Sequence, residues 1–431
     1  MDHQEECADF CSKDEKCKFW TFRAVDQVCL IKTSDAGKKK MKGHISGSRA
    51  CATGNVHFSP DLDILDELSE KEFEEYFHEE KITDPVVFKK RSEALKNNEE
   101  KVKKANKQYI KGNSSYFDGV NEFADLTEKQ FMAKKTGLGV HKEYGRGIIM
   151  PPMEERFNPV AEAWFDLLRF DRSAIPDSYS SVDQGWVTEV KSQQTCASCA
   201  AFTAVAAMEI CFAKVTGVHG DYSEQQLLDC GKGYKGRTWG CEGAWPDAYF
   251  QFLFEKQGGQ LVHESQAPYK NKEGQCDSNT PSYNQGAKVT GEYSTYKGDE
   301  ELIKKLVYKY GGAAITAQVK GTIQEYKGGI FTGCTNDHAE DHAMVVVGYG
   351  TENGQDYWLI KNSWGKDWGE NGYLRLIRGY NACGIGTGAI SAVTCEATQG
   401  PTDRPLTTEY PCMDSWATDF ENPCPQYAQT R

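Results

Sequence analysis

Hydrophobic and polar positions change their rhythm several times along the chain, and each change marks a segment. Near the start, CKFWTFRA and QVCLIK alternate apolar and polar side chains over short runs, the period of half-buried strands. Within DPVVFKKRSEALKNNEEKVKKANKQYI, the residues Arg91, Leu95, Asn98, Val102 and Asn106 recur at helical spacing and share one face. Arginine and asparagine on that face predict docking through specific hydrogen bonds, which a plain core stripe would not need. The aromatic, turn-rich stretch YFDGVNEFADLTEKQF follows and closes on Asp-Leu-Thr-Glu, a helix start. Residues 131 to 174 lack a period and read as a partly extended connector. An apolar helix is predicted from Cys199, and HAMVVVGYG and DYWLIKNSW read as glycine-punctuated strands. The tail beyond residue 396 is too polar to build its own core, and no internal repeat is present.

With 431 residues, and roughly 150 per domain, two or three folded units are expected. Charge narrows the partners. Against 50 basic side chains stand 63 acidic ones, a formal net of -13, which argues against nucleic acid and anionic lipid. The basic runs GKKKMKGH and KVKKANK read as solvated faces. No apolar run reads as a membrane span of about 18 to 20 residues, and MDHQEECADFCSKD shows no signal peptide. Sixteen cysteines nevertheless place the folded chain in an oxidising compartment: the secretory pathway, a lysosome- or vacuole-like lumen, or the extracellular space.

Chemistry concentrates in KSQQTCASCAAFTAV, where Cys196 and Cys199 open the apolar helix. Such a pair serves redox exchange, half a zinc site or a nucleophile beside a bonded cysteine. Later cysteines stand singly, which leaves zinc without a second ligand pair, so neither metal nor cofactor is expected. Turns and a glutamine-rich approach around the pair weigh against thioredoxin-like exchange. Nucleophilic catalysis needs a base and a group to orient it, and DHAMVVVGYG and YWLIKNSWGKDWGENGY supply His342 and Asn362 beside Trp364.

These three segments, in this order, resemble the papain-like cysteine peptidases. The resemblance extends upstream: the Arg91 to Asn106 face is similar to that family's propeptide helix, and GVNEFAD, with Gly119, Asn121, Phe123 and Asp125, to its second propeptide motif. Together it covers residues from about 65 to 395. It implies an α+β, two-domain fold, with a helical domain and a β-barrel-like domain, behind a helical propeptide. Cys199 would be the nucleophile, its thiolate favoured by the helix amino terminus and by an imidazolium at His342. Asn362 would orient His342, Trp364 would shield that bond, and Gln193 would donate to the oxyanion with the backbone N–H of Cys199. The resemblance also pairs Cys196 with Cys241, Cys230 with Cys276 and Cys334 with Cys383. Cys211 and Cys395 are proposed as a further pair, and Cys412 with Cys424 as a tail loop.

The same resemblance places a substrate ledge at Gly243 and a pocket for the residue one upstream of the cleaved residue, walled by Trp245, Pro246, Thr316 and Ala343 with Gly388 at its far end. With no acidic residue closing it, a bulky apolar or aromatic side chain is expected there. The chain departs from the family pattern in four places: Ala197, Ala200, Ala244 and the SSV at 180 to 182. An alternative reading is therefore a silent papain-fold protein serving as a secreted or vacuolar binding protein.

The first 54 residues resemble a PAN/apple module, which implies Cys7–Cys29 and Cys11–Cys17 bonds, leaves Cys51 without its partner, and suggests a missing stretch before Met1. Such a module implies a protein or carbohydrate ligand. The expected layout is an apple-like module at 1–54, an inhibitory propeptide at 60–130, a maturation linker at 131–174, the peptidase at 175–395 and a cysteine-containing tail at 396–431. The expected partners are peptide or protein substrates and the chain's own propeptide as inhibitor, which would leave when acid protonates its carboxylates, Asp125 among them.

Overall fold

The structure, a computed structural model, describes residues 85–137, 175–277, 287–295, 299–319, 323–334 and 340–398, together with the backbone of three short strands near the amino terminus. Those strands, β1 (Phe19–Arg23), β2 (Val28–Lys32) and β3 (His44–Ser48), form an antiparallel sheet in the order β2-β1-β3, with Phe22 opposite both Cys29 and Ile45. The expected Cys7–Cys29, Cys11–Cys17 and Cys412–Cys424 bonds lie outside the described residues.

Helix α1 (Pro85–Ile110) carries the mixed face read from the sequence, and that face is spent on backbone recognition. Asn98 Nδ2 donates to the carbonyls of Ala124 (2.8 Å) and Leu126 (2.9 Å). Asn106 brackets Asp118, donating to its carbonyl at 3.0 Å and accepting from its N–H at 2.9 Å. Arg91 forms an ion pair with the buried Asp125. Between these anchors runs β4 (Tyr116–Asp118), followed by α2 (Glu128–Lys135), which Thr127 and Gln130 cap reciprocally. Buried asparagines are tolerated here because each side-chain amide is matched to a backbone group.

The remaining described chain forms two cores. Around α3 (Cys199–Thr216) gather α4 (Glu224–Cys230) and α5 (Pro246–Lys256). Alanine, valine and phenylalanine cover every side of α3, so it must be wrapped by protein, and 83 % of it is buried. By length and composition alone α3 could cross a bilayer, against the expectation that no run of that kind exists. Its one acidic side chain, Glu209, is matched by Thr188, by Lys191 Nζ at 3.1 Å and by the N–H of Tyr222 at 3.1 Å.

The second core lies on a sheet ordered β4-β8-β11-β10-β9-β7-β12-β6, with the short β5 (Tyr179–Ser180) also pairing with β9. Its strands are β6 (Ala287–Thr295), β7 (Ala313–Ala317), β8 (Tyr326–Phe331), β9 (His342–Glu352), β10 (Gln355–Lys361), β11 (Tyr373–Ile377) and β12 (Ile390–Ala397), with helix α6 (Glu300–Tyr310) preceding β7. Strand β9 is buried over its first nine residues and lies between β7 and β10. The α1–α2 segment joins this sheet by adding β4 to the edge of β8, Tyr116 opposite Gly329.

Four disulfides close the described chain from residue 175 onward: Cys196–Cys241, Cys230–Cys276, Cys334–Cys383 and Cys211–Cys395, the last fastening α3 to β12. They fit an oxidising compartment. The site is set by where two elements begin: α3 starts at Cys199 and β9 starts at His342.

Candidate active site

Among the described residues Cys199 is the one free cysteine, and it is fully buried at the first turn of α3. Backbone hydrogen bonds to its sulfur involve Ala343, the residue after His342, together with Ala200 and Gly137. His342 Nε2 lies 2.8 Å from Asn362 Oδ1. The Trp364 ring stacks on the imidazole at 4.7 Å between centroids, 30° from parallel, and closes that hydrogen bond off from water. Gln193 Nε2 donates to the Cys196 carbonyl at 3.0 Å, three residues before Cys199. Cysteine, histidine, asparagine, glutamine and tryptophan, up to 171 positions apart in sequence, thus converge. The arrangement can deliver a thiol to a carbonyl, hold a base in one orientation and offer an amide to a developing oxyanion.

Ser363 is a member of the site that sequence reading missed. Its hydroxyl donates to Gln193 Oε1 at 2.8 Å and its N–H to Asn362 Oδ1 at 2.8 Å, so one residue fixes both amides. A serine between asparagine and tryptophan looks like a turn residue, and only the fold brings Gln193 to it. Behind it, Lys191, Glu209, Glu224 and Lys361 line a small cavity that reaches Asn362.

The site is closed by the chain itself. Phe123 and Phe131 meet the Trp364 ring edge to face at 6.0 and 5.0 Å, and Trp364 Nε1 donates to the Lys135 carbonyl at 3.2 Å. Two residues on, Gly137 crosses the thiol: its N–H donates to the Asp341 carbonyl at 3.0 Å and its carbonyl accepts from the Ala244 N–H at 3.0 Å. Ala244, where the family has glycine, therefore still presents its backbone to the crossing chain. Ala200 is buried in the α3 core beside Cys199.

Exclusion of water reverses the ionisation expected for an exposed pair. Burial pushes the Cys199 thiol up to about 12, against the backbone hydrogen bonds that favour the thiolate. Burial likewise pulls His342 down to about 4, with the Asn362 bond opposing and the Lys135 charge adding to the effect. In this closed form the pair is a neutral thiol and a neutral imidazole, so the thiolate that the resemblance implies belongs to an open cleft.

Of the specificity residues read from sequence, Trp245, Thr316 and Ala343 are buried, Pro246 opens α5, and Thr316 pairs with Ala343 across β7 and β9. Trp245 also belongs to the helical core. Gly243 holds φ at 117°, a conformation that glycine alone adopts freely, and turns the chain so that the next N–H faces Gly137.

Close approach makes Gly137 a stringent position: a Cβ there would lie 2.1 Å from the Ala197 carbonyl oxygen. Replacing it with alanine is expected to raise the residual peptidase activity of the uncleaved chain by about tenfold, equivalent to about 1.4 kcal/mol of lost closure. A Gly137→Ala precursor as silent as the parent would show that this contact does not hold the cleft shut.

Comparison with known proteins agrees with this geometry. Residues 175–393 match the family model described as papain family cysteine protease, and residues 1–54 match the PAN domain. A cathepsin L-like proteinase of Fasciola hepatica is 37 % identical over 272 residues, which is 62 % of this chain and 76 % of that protein. Fruit bromelain of Ananas comosus is 34 % identical over 274 residues, 62 % of this chain and 70 % of the relative. Among solved structures, a recombinant stem bromelain precursor superposes with a TM-score of 0.61 at 31 % identity, covering 77 % of this chain and 99 % of that one. Digestive procathepsin L 3 of the Tenebrio molitor larval midgut does so with a TM-score of 0.61 at 29 % identity, covering 75 % and 98 %. A cysteine at the start of α3, a histidine at the start of β9 and zymogen-form neighbours all lead to one statement: the chain belongs to the papain family of cysteine proteases and carries a PAN domain at its amino-terminal end.

Proposed function

We propose that the chain is the inactive precursor of a cysteine endopeptidase that cuts peptide bonds by thiolate attack through an acyl-enzyme. The inhibitory propeptide begins near residue 60 and runs past the expected end at 130 to Gly137, which crosses the thiol; the rest up to 174 is the maturation linker and 175–395 the enzyme. Cys199 is the nucleophile, His342 the base and later the acid, Asn362 the group that orients it, and Gln193 with the Cys199 N–H the oxyanion donors. The observation that carries this reading is a free Cys199 beneath Gly137, next to a histidine held at 2.8 Å by Asn362. The segment runs from Trp364 toward Ala244, so the chain itself lies across the cleft. Disulfides and family membership support maturation in a lysosome- or vacuole-like lumen or outside the cell.

Acidity acts through groups whose proton affinity differs between the closed and open forms. Burial lowers Lys135 to about 8 and His342 to about 4, so both hold protons less tightly when closed and their protonation favours opening. For His342 that loosening develops as pH falls from 6.5 toward about 4. Carboxyls carry the opposite sign. Burial raises Asp125 despite the Arg91 ion pair, raises Asp118 to about 6, and raises Glu325 to about 7 against Lys101 and with help from Asp118 and Glu128. Each binds its proton more tightly when closed, so acid strengthens the closed form through them, and that strength is lost as pH rises through 6 to 7. Release driven by protonation of Asp125 therefore has the wrong sign. Acid loosens the cleft at His342, and cutting of the linker makes the release permanent.

After incubation at mildly acidic pH in mild reductant, hydrolysis of a fluorogenic peptide should appear together with loss of the segment before residue 175, and Cys199→Ala should abolish it. No activity from a folded, fully processed chain would favour the binding-protein reading. Glu325→Gln, which mimics the protonated form, should slow propeptide release several-fold above pH 7 and leave it unchanged at pH 5. Equal slowing at both values would contradict the assigned sign.

A further inference from the structure

We infer that Glu340 makes this peptidase select lysine or arginine at the residue immediately upstream of the cleaved residue. The inference rests on the peptidase reading above and revises the apolar preference expected from sequence. The two backbone groups that grip Gly137 are the Ala244 N–H and the Asp341 carbonyl. Their chain neighbours, Trp245 and Glu340, flank the place where a substrate lying along that track presents a side chain that Gly137 lacks.

The far end of this space is crowded. Thr316 Oγ1 accepts from the Ala389 N–H at 2.7 Å, and a Cβ built on Gly388 would lie 2.6 Å from Thr316 Oγ1 and 3.3 Å from Glu340 Cγ. Glycine at 388 keeps the pocket open, and the side chain that borders the opening is acidic. The neighbouring carboxylate, Asp341, is turned away and accepts the Val319 N–H at 2.9 Å. Glu340 is half-buried and, among the described residues, has neither an ion-pair nor a hydrogen-bond partner.

Chemistry then selects the occupant. Trp245, Pro246 and Ala343 offer apolar walls that suit the aliphatic stem of lysine or arginine, while the head group reaches the carboxylate. Leucine gains the walls and leaves Glu340 without a cation, and an acidic side chain is repelled.

The test uses matured enzyme and three fluorogenic peptides that differ at that one residue, carrying arginine, leucine or glutamate. The parent should cleave the arginine peptide with the highest kcat/KM. Glu340→Gln should lower the arginine-to-leucine ratio by about tenfold, and Glu340→Lys should shift preference to the glutamate peptide. Added salt should depress the arginine rate in the parent and not in Glu340→Gln. Cys199-dependent cleavage with a ratio that Glu340→Gln leaves unchanged would overturn the pocket assignment and leave the peptidase reading intact. Cleavage of no peptide by folded, matured enzyme would overturn both.

Discussion

Trp364 is asked to do two jobs by one ring, and the rest of the molecule is arranged around that fact. One face stacks on His342 and keeps water from its bond to Asn362. The ring also meets Phe123 and Phe131, and the indole N–H is held by the Lys135 carbonyl. The group that stacks on His342 is thus also the platform on which the α1–α2 segment sits. Aromatic edge-to-face pairs contribute about 0.5–1.5 kcal/mol each beyond their buried area, so two of them with a hydrogen bond make a firm anchor beside His342.

On the proposed reading, that anchor would account for latency without distorting the groups of the site. His342, Asn362, Gln193 and Ser363 already hold one another, so nothing has to be assembled on activation. What the closed form withholds is charge. With Gly137 over the sulfur, burial penalises the thiolate and the imidazolium alike, and the neutral pair is the poorer nucleophile. On the proposed reading, opening would admit water, lift the penalty on both partners and let the pair ionise.

The proposed catalytic quartet was legible in sequence because each member sits in a short stretch whose residue types have few other uses together: a glutamine six positions before a helix-opening cysteine, a histidine entering an apolar strand, an asparagine near a tryptophan. The helical face of Asn98 and Asn106 was legible for the same reason, since buried amides at helical spacing have to recognise something. Residues that act through tertiary contact left no such mark. Ser363 reads as a turn and Gly137 as part of a connector, while Glu340 draws no reading and the pocket reads as lacking an acid; only the crossing of Gly137 between Ala244 and Asp341 draws attention to Gly137 and Glu340. The membrane-like composition of α3 and the raised carboxyls of Asp118 and Glu325 likewise depend on what packs against them, which a linear pattern does not encode.

The most direct test of the central claim is the alkylation rate of Cys199 by iodoacetamide against pH, read by peptide mass mapping in the intact precursor and in the matured enzyme. A thiol kept neutral by burial should react negligibly in the precursor from pH 4 to 9, and removal of the propeptide should uncover fast labelling that persists well below the ordinary thiol value of about 8.5. Equal labelling of Cys199 in both forms across that range would contradict the account, because the segment at Gly137 would then be controlling neither access to the sulfur nor its charge.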